Sequence, residues 1–278
     1  ATFFSFRNKK EFKMKVKLNP LTRLFMEQSE LFPHLFLDAE AWRTARPIDF
    51  PGTQLEMVEF DQALERIFQI WDEVGESLAQ EAENKPFYDS DGVEVNGVDL
   101  LAYYVTFRSI RADRENQNWG IHFNLKEFFA FVRRVAKSAN KPAREALSAC
   151  YFFVLHHEIN HYEIDLGTFF LEAHSGRSGY LTRQVPVEVE EALGSGRGVT
   201  RPEVKEFKDV IVYRYESTSL RGYRDLGKYL TRKRQESAFN EILFQNVPSA
   251  KKNFPLAHQF MKPRSPFNSK NIPIYLHM

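Results

Sequence analysis

Val154-Leu155-His156-His157-Glu158-Ile159-Asn160-His161-Tyr162-Glu163-Ile164-Asp165 carries two histidines four residues apart, with a glutamate directly after the first. On an α-helix, residues at i and i+4 stand one turn apart on the same face. His157 and His161 can therefore direct their imidazoles at a single metal ion. Glu158 is turned about 100° around the helix from His157, so it reaches a water beside such an ion rather than the ion itself. His156 is turned as far the other way and is not expected to be a ligand. Upstream, Ala146, Leu147, Ala149, Cys150, Phe152, Phe153, Val154 and Leu155 are apolar nearly all round. The helix, expected from about Pro142 to Leu166 and weakened by Gly167, should be buried. Burying polar groups without partners is costly, and a shared metal ion would supply His157 and His161 with one.

The H-E-x-x-H spacing of His157-Glu158-Ile159-Asn160-His161 has Val154 three residues ahead and the uncharged Ile159, Asn160 and Tyr162 around it. This stretch resembles the active-site helix of the zincin metallopeptidases. Glu163 departs from their pattern, which usually has an apolar residue there. The resemblance implies Zn2+ on His157 and His161, with Glu158 handling the proton in hydrolysis of a peptide bond. It also implies an α+β fold: a mostly helical zincin-like domain with a small mixed sheet whose edge strand precedes the active-site helix. Trp119–Asn124, short and β-prone, is the candidate edge strand, which would offer free backbone groups to an extended peptide. His122 on it is expected to line the cleft or the surface.

A catalytic zinc needs a third protein ligand and an open position. The longer arrangement H-E-x-x-H-x-x-G-x-x-H is absent, because Ile164 and Gly167 occupy its last Gly and His positions. Pro186-Val187-Glu188-Val189-Glu190-Glu191-Ala192-Leu193-Gly194 opens on a helix-starting proline. It resembles the segment that supplies a glutamate ligand in gluzincins, the thermolysin-like branch. On that resemblance Glu191 is the third ligand and Glu190 the near alternative. Glu236, on another expected helix, is held in reserve. Asp165, one turn beyond His161, is expected to orient His161 as a supporting carboxylate, with direct ligation the other choice. Gly194-Ser195-Gly196-Arg197-Gly198 follows where a continuing helix would be usual. Tyr213, Tyr215, Tyr223 and His174 remain open as oxyanion donors.

The chain of 278 residues, 43% hydrophobic and containing 26 Phe, is long enough to bury a sizeable core. The lone Cys150 excludes an intramolecular disulfide framework and a cysteine-rich zinc site. It is expected to pack as a small apolar residue. No apolar run reaches membrane-spanning length, and the opening residues are too short and too quickly charged for a signal peptide. A cytoplasmic protein acting on a protein or peptide substrate, without a membrane partner, is the expectation. Net charge is +1, but from Val199 onward 15 Lys+Arg stand against 7 Asp+Glu, leaving 23 against 30 before that point. The basic portion, residues 199–278, can neutralise the rest of the fold or contact nucleic acid. A nucleic-acid-associated protein, including a DNA-associated protease, and a non-catalytic protein with a structural zinc are therefore the alternatives.

Residues 1–55 are expected to be an irregular segment packing on the core, with a short helix around Leu21–Leu31. Residues 56–278 are expected to be a single catalytic domain. Phe60, Leu64, Ile67, Trp71, Val74 and Leu78 recur at helical spacing and predict a helix to about Glu83. Asp89-Ser90-Asp91-Gly92 reads as a hairpin turn. It is not a calcium loop, because Glu94 and Leu100 stand where the glycine and the last glutamate would be required. Helices are expected over Leu125–Lys137 and, basic in character, over Leu226–Phe244. Strands are expected over Val210–Tyr215 and Ile272–Leu276.

Overall fold

Asn19 and Pro20 set the first described helix, α1 (Pro20–Leu31): the Asn19 side chain accepts the Leu21 N–H at 2.8 Å, and the proline opens the first turn. The computed structural model describes residues 19–38, 40–41, 54–84, 98–111, 118–176, 187–217, 221–247 and 265–278. The expected hairpin at Asp89–Gly92 lies outside them. α1 buries Phe25 in a ring cluster, stacked on Phe107 at 3.8 Å and edge-on to Trp119. The Trp119 indole N–H donates to Thr22 at 2.9 Å. The short helix expected around Leu21–Leu31 is thus present, and it packs on the core.

After strand β1 (Leu55–Val58) comes α2 (Ala63–Ile70), continued through a π turn at Trp71–Gly75 into α3 (Glu76–Asn84). The short helix α4 (Val98–Leu101) then leads into β2 (Ala102–Val105), and β3 (Gly120–Asn124) follows. Next are α5 (Leu125–Ala139) and the long motif helix α6 (Ala143–Ser175). The chain continues with α7 (Val187–Val199), α8 (Lys208–Glu216), α9 (Arg221–Arg224), α10 (Arg232–Asn246) and β4 (Ile274–His277). The described residues are mostly helical with one small sheet. No helix among them is long and apolar enough to cross a membrane.

The sheet has the order β1-β4-β3-β2 and is mixed: β3 and β4 are parallel, and the two outer pairs are antiparallel. Trp119–Asn124, expected at the edge, is therefore interior. The reason is long-range: β4, from the end of the chain, pairs Ile121 with Ile274 and Phe123 with Leu276. All five β3 residues are buried, as suits a strand covered on both faces. β1 and β2 form the edges among the described residues. His122 is likewise not at a cleft. Its ring lies between those of Tyr103 and Tyr275 at 4.9 and 4.5 Å, and its Nδ1 is 2.9 Å from His277 Nε2.

Three other expectations change because side chains pack at helical intervals. Val210–Tyr215 lies in α8, not in a strand: Ile211 and Tyr215 are buried four residues apart, while Tyr213 between them is 75% exposed. Gly167 does not end α6, which continues to Ser175, and Leu243 of α10 packs against the glycine face. The basic segment is a 3-10 turn, Asp225–Tyr229, followed by α10, rather than one helix.

Candidate metal centre

α6 is buried on nearly all sides, and its second half presents His157, Glu158 and His161 to neighbours on different flanks. Across its His157 face runs α7. The contacts pair Glu190 with His161, Ser195 with His157 and Gly198 with Phe153, so the two helices are antiparallel. Their closeness depends on the glycines that made this helix doubtful in the sequence. A Cβ at Gly198 would stand 2.3 Å from the Phe153 carbonyl oxygen, and one at Gly194 would stand 3.1 Å from His157 Nδ1. The run Gly194–Gly198 is thus the inner surface of a helix that continues to Val199.

That approach brings three donor atoms together. His157 Nε2 is 2.9 Å from Glu191 Oε2 and 3.1 Å from His161 Nε2, while His161 Nε2 is 3.5 Å from Glu191 Oε1. These three residues form a group that could hold a metal ion. The outward nitrogens have their own partners: His161 Nδ1 is 2.7 Å from Glu190 Oε1, and His157 Nδ1 is 3.1 Å from Ser195 Oγ. Glu190 can only accept, so it takes the Nδ1–H of His161 and leaves a lone pair on Nε2. With the His157 Nδ1–H given to Ser195, both Nε2 lone pairs and a carboxylate oxygen converge. Three converging acceptors repel unless a cation sits among them. Metal–nitrogen bonds of about 2.0–2.1 Å in a tetrahedron put donors about 3.3 Å apart, close to the spacing here.

Without a metal, a proton takes part of that role. Burial alone would lower the His161 imidazole. The Glu191 charge and hydrogen bonds to Glu190 and Glu191 overcome it and hold the pKa well above the usual range. Burial likewise would raise the Glu191 carboxyl, but His161 and the hydrogen bond from His157 hold it well below. A metal would replace the proton in the same electrostatic well.

Glu158, 1% exposed, follows His157 on α6. Tyr223 of α9 places its ring 6.0 Å from that of His157, and Gly222 lies against the Glu191 side chain. Of the four candidates for oxyanion donor, Tyr223 is therefore the one against the cluster. Tyr213 is exposed, Tyr215 packs on Phe153 and Phe131, and His174 lies more than three turns further along α6.

Asp165 does not orient His161. Its carboxylate accepts from Arg108 Nε at 2.6 Å, Thr106 Oγ1 at 2.5 Å and the Tyr104 hydroxyl at 3.1 Å. Arg108, fully buried, also donates to Glu172 at 2.5 Å. The carboxylate that supports His161 is Glu190, on the neighbouring helix. Helix spacing alone does not decide this: Asp165 is one turn beyond His161, but its partners are Tyr104, Thr106 and Arg108 on the β2 side, where a buried guanidinium needs a counter-charge. Glu236, on α10, is not one of these donors and pairs with Arg232 at 2.8 Å. Sequence reasoning missed Ser195 and Arg108. Ser195 had a usable signal, since it stands at i+4 from Glu191 and so on the same helix face.

Comparison with protein-family models, curated proteins and solved structures returns no significant match. The centre is therefore read from its own donor set.

Proposed function

We propose that the chain is a zinc-dependent endopeptidase with a narrow set of protein substrates, built on a zincin-like arrangement in which His157, His161 and Glu191 hold the metal. The observation that supports this reading is the convergence of His157 Nε2, His161 Nε2 and the Glu191 carboxylate, with Glu158 buried next to His157. Two nitrogens and one oxygen suit zinc, and three protein ligands leave one position open. Bound zinc would polarise the scissile carbonyl and bring the pKa of a water to about 7. Glu158 accepts the proton of that water on a carboxylate oxygen and returns it to the leaving amine. Glu190 and Ser195 hold the two imidazoles in the tautomer that keeps Nε2 free to bind. Tyr223 packs against the His157 ring and restricts its rotation.

The test is metal analysis of protein purified without chelators, coupled to a proteome-wide cleavage screen of wild type against Glu158→Gln. Near-stoichiometric zinc in both forms, with cleavage by the wild type alone, is expected. Absence of metal from the wild type, or equal cleavage by the variant, would overturn the reading. One observation favours a second reading, a structural zinc. His157 is fully buried, and the His161 and Glu191 side chains are 12% exposed under α9. In that case chelation would unfold the chain and no peptide would be cut.

A further inference from the structure

On the flank of α7 that faces α10, a cavity of about 560 Å³ is lined by residues of α6, α7 and α10 and of the turn after α7. It is separate from the His157, His161 and Glu191 donor atoms, and its size falls within the usual range of small-molecule sites. Three arginines line it, Arg197, Arg201 and Arg232, against two acidic residues, Glu163 and Glu236. Both carboxylates are already engaged: Glu163 with Arg197 at 2.5 Å, and Glu236 with Arg232 at 2.8 Å. A cation would find no uncommitted carboxylate in the lining.

The third guanidinium is different. The Arg201 side chain is 40% exposed, and its ion pair with Glu203 is long, at 3.4 Å, so it is the least tightly held of the three. A guanidinium not held by a close carboxylate can take two oxygens of one acceptor side by side. Apolar surface is also present. The Phe239 ring lines the cavity, and Arg197 lies over it at 5.6 Å.

We propose that this cavity binds a compact oxyanion, carboxylate or phosphate, carried on an aromatic body, with Arg201 as the charged contact and Phe239 as the apolar wall. The proposal does not depend on the metal centre or on the peptidase reading. It is tested by calorimetric titration of the purified protein with inorganic phosphate, phenyl phosphate and benzoate, at an ionic strength held constant with sodium chloride. Saturable binding is expected, with phenyl phosphate tighter than inorganic phosphate, and the order of phenyl phosphate and benzoate identifies the preferred oxyanion. Arg201→Gln should weaken every ligand at least tenfold, and Arg201→Lys should fall between. Phe239→Leu should remove most of the advantage of phenyl phosphate while leaving inorganic phosphate unchanged. Circular dichroism checks that each variant is folded. An anion attracted to the His157 cluster instead would bind Arg201→Gln as well as wild type, and that result overturns the proposal. So does the absence of saturable heat with all three ligands. Equal affinity for phosphate and phenyl phosphate would overturn the aromatic part.

Discussion

Ser195 bonds to the ring nitrogen of His157 that faces away from the cluster, and Glu190 does the same for His161. Neither need touch a metal to matter. An imidazole is a ligand only through a nitrogen without a proton, and its other nitrogen decides which one that is. Ser195→Ala is therefore expected to weaken zinc binding by about tenfold to a hundredfold, the usual cost of losing such an outer partner, with little change in thermal midpoint. Competition with a chromogenic chelator measures it, and an unchanged affinity would remove Ser195 from the centre. Glu191→Gln should lose more, because it removes a charge as well as a donor.

At the scale of elements, the α6–α7 contact holds the centre together. Gly198→Ala would press a methyl group to 2.3 Å from the Phe153 carbonyl oxygen, a distance real contacts do not reach. The helices would have to separate. A loss of about 1–3 kcal/mol is expected from such overpacking, together with weaker metal binding, because Glu191 and Ser195 ride on the same helix. Gly176 is the control. It sits at φ 69° with open space around it, so Gly176→Ala should cost about 1 kcal/mol and leave metal binding intact. Urea titration with parallel metal assays separates the two.

A second inter-element contact, Arg108 against Asp165 and Glu172, ties the segment after β2 to α6 with all three side chains fully buried. Burial pushes the Asp165 carboxyl up, and Arg108, Thr106 and Tyr104 only partly restore it. Arg108→Met would strand two buried carboxylates, and a destabilisation of about 3–5 kcal/mol is expected. A loss below about 1 kcal/mol in chemical denaturation would mean that the carboxylates neutralise without it.

For the whole molecule, the interior position of β3 makes stability depend on pH through His122. Burial, with a smaller contribution from the nearby His277, lowers its pKa from 6.5 to about 3. The folded state keeps this ring neutral while the unfolded chain protonates it. Stability is therefore full above pH ~6.5 and lost as pH falls toward ~3, at up to about 1.4 kcal/mol per unit from this group. His122→Phe, which keeps a ring between Tyr103 and Tyr275, should flatten the slope of unfolding free energy between pH 6.5 and 5, above the range where ordinary carboxylates titrate. An identical slope in the variant would show that His122 is not the group responsible.

The sequence by itself determined the local features: the helix carrying His157, Glu158 and His161, the apolar stripe through Leu64, Ile67 and Trp71, and the short helix around Leu21–Leu31. Each depends on spacing within a turn or two, which a chain writes directly. It also nominated Glu191, which stands beside the two imidazoles. Only the tertiary structure decided that Glu190, not Asp165, faces His161, that β4 closes over β3, and that Gly194–Gly198 is a packing surface rather than a helix end. Val210–Tyr215 shows the limit most simply. A run of β-branched and aromatic residues fits a strand on paper, but Ile211 and Tyr215 found buried neighbours one helical turn apart, and Tyr213 did not. The physical reason is common to all of these. A side chain's role depends on what lies opposite it, and here the opposite partner came from segments tens to more than a hundred residues away.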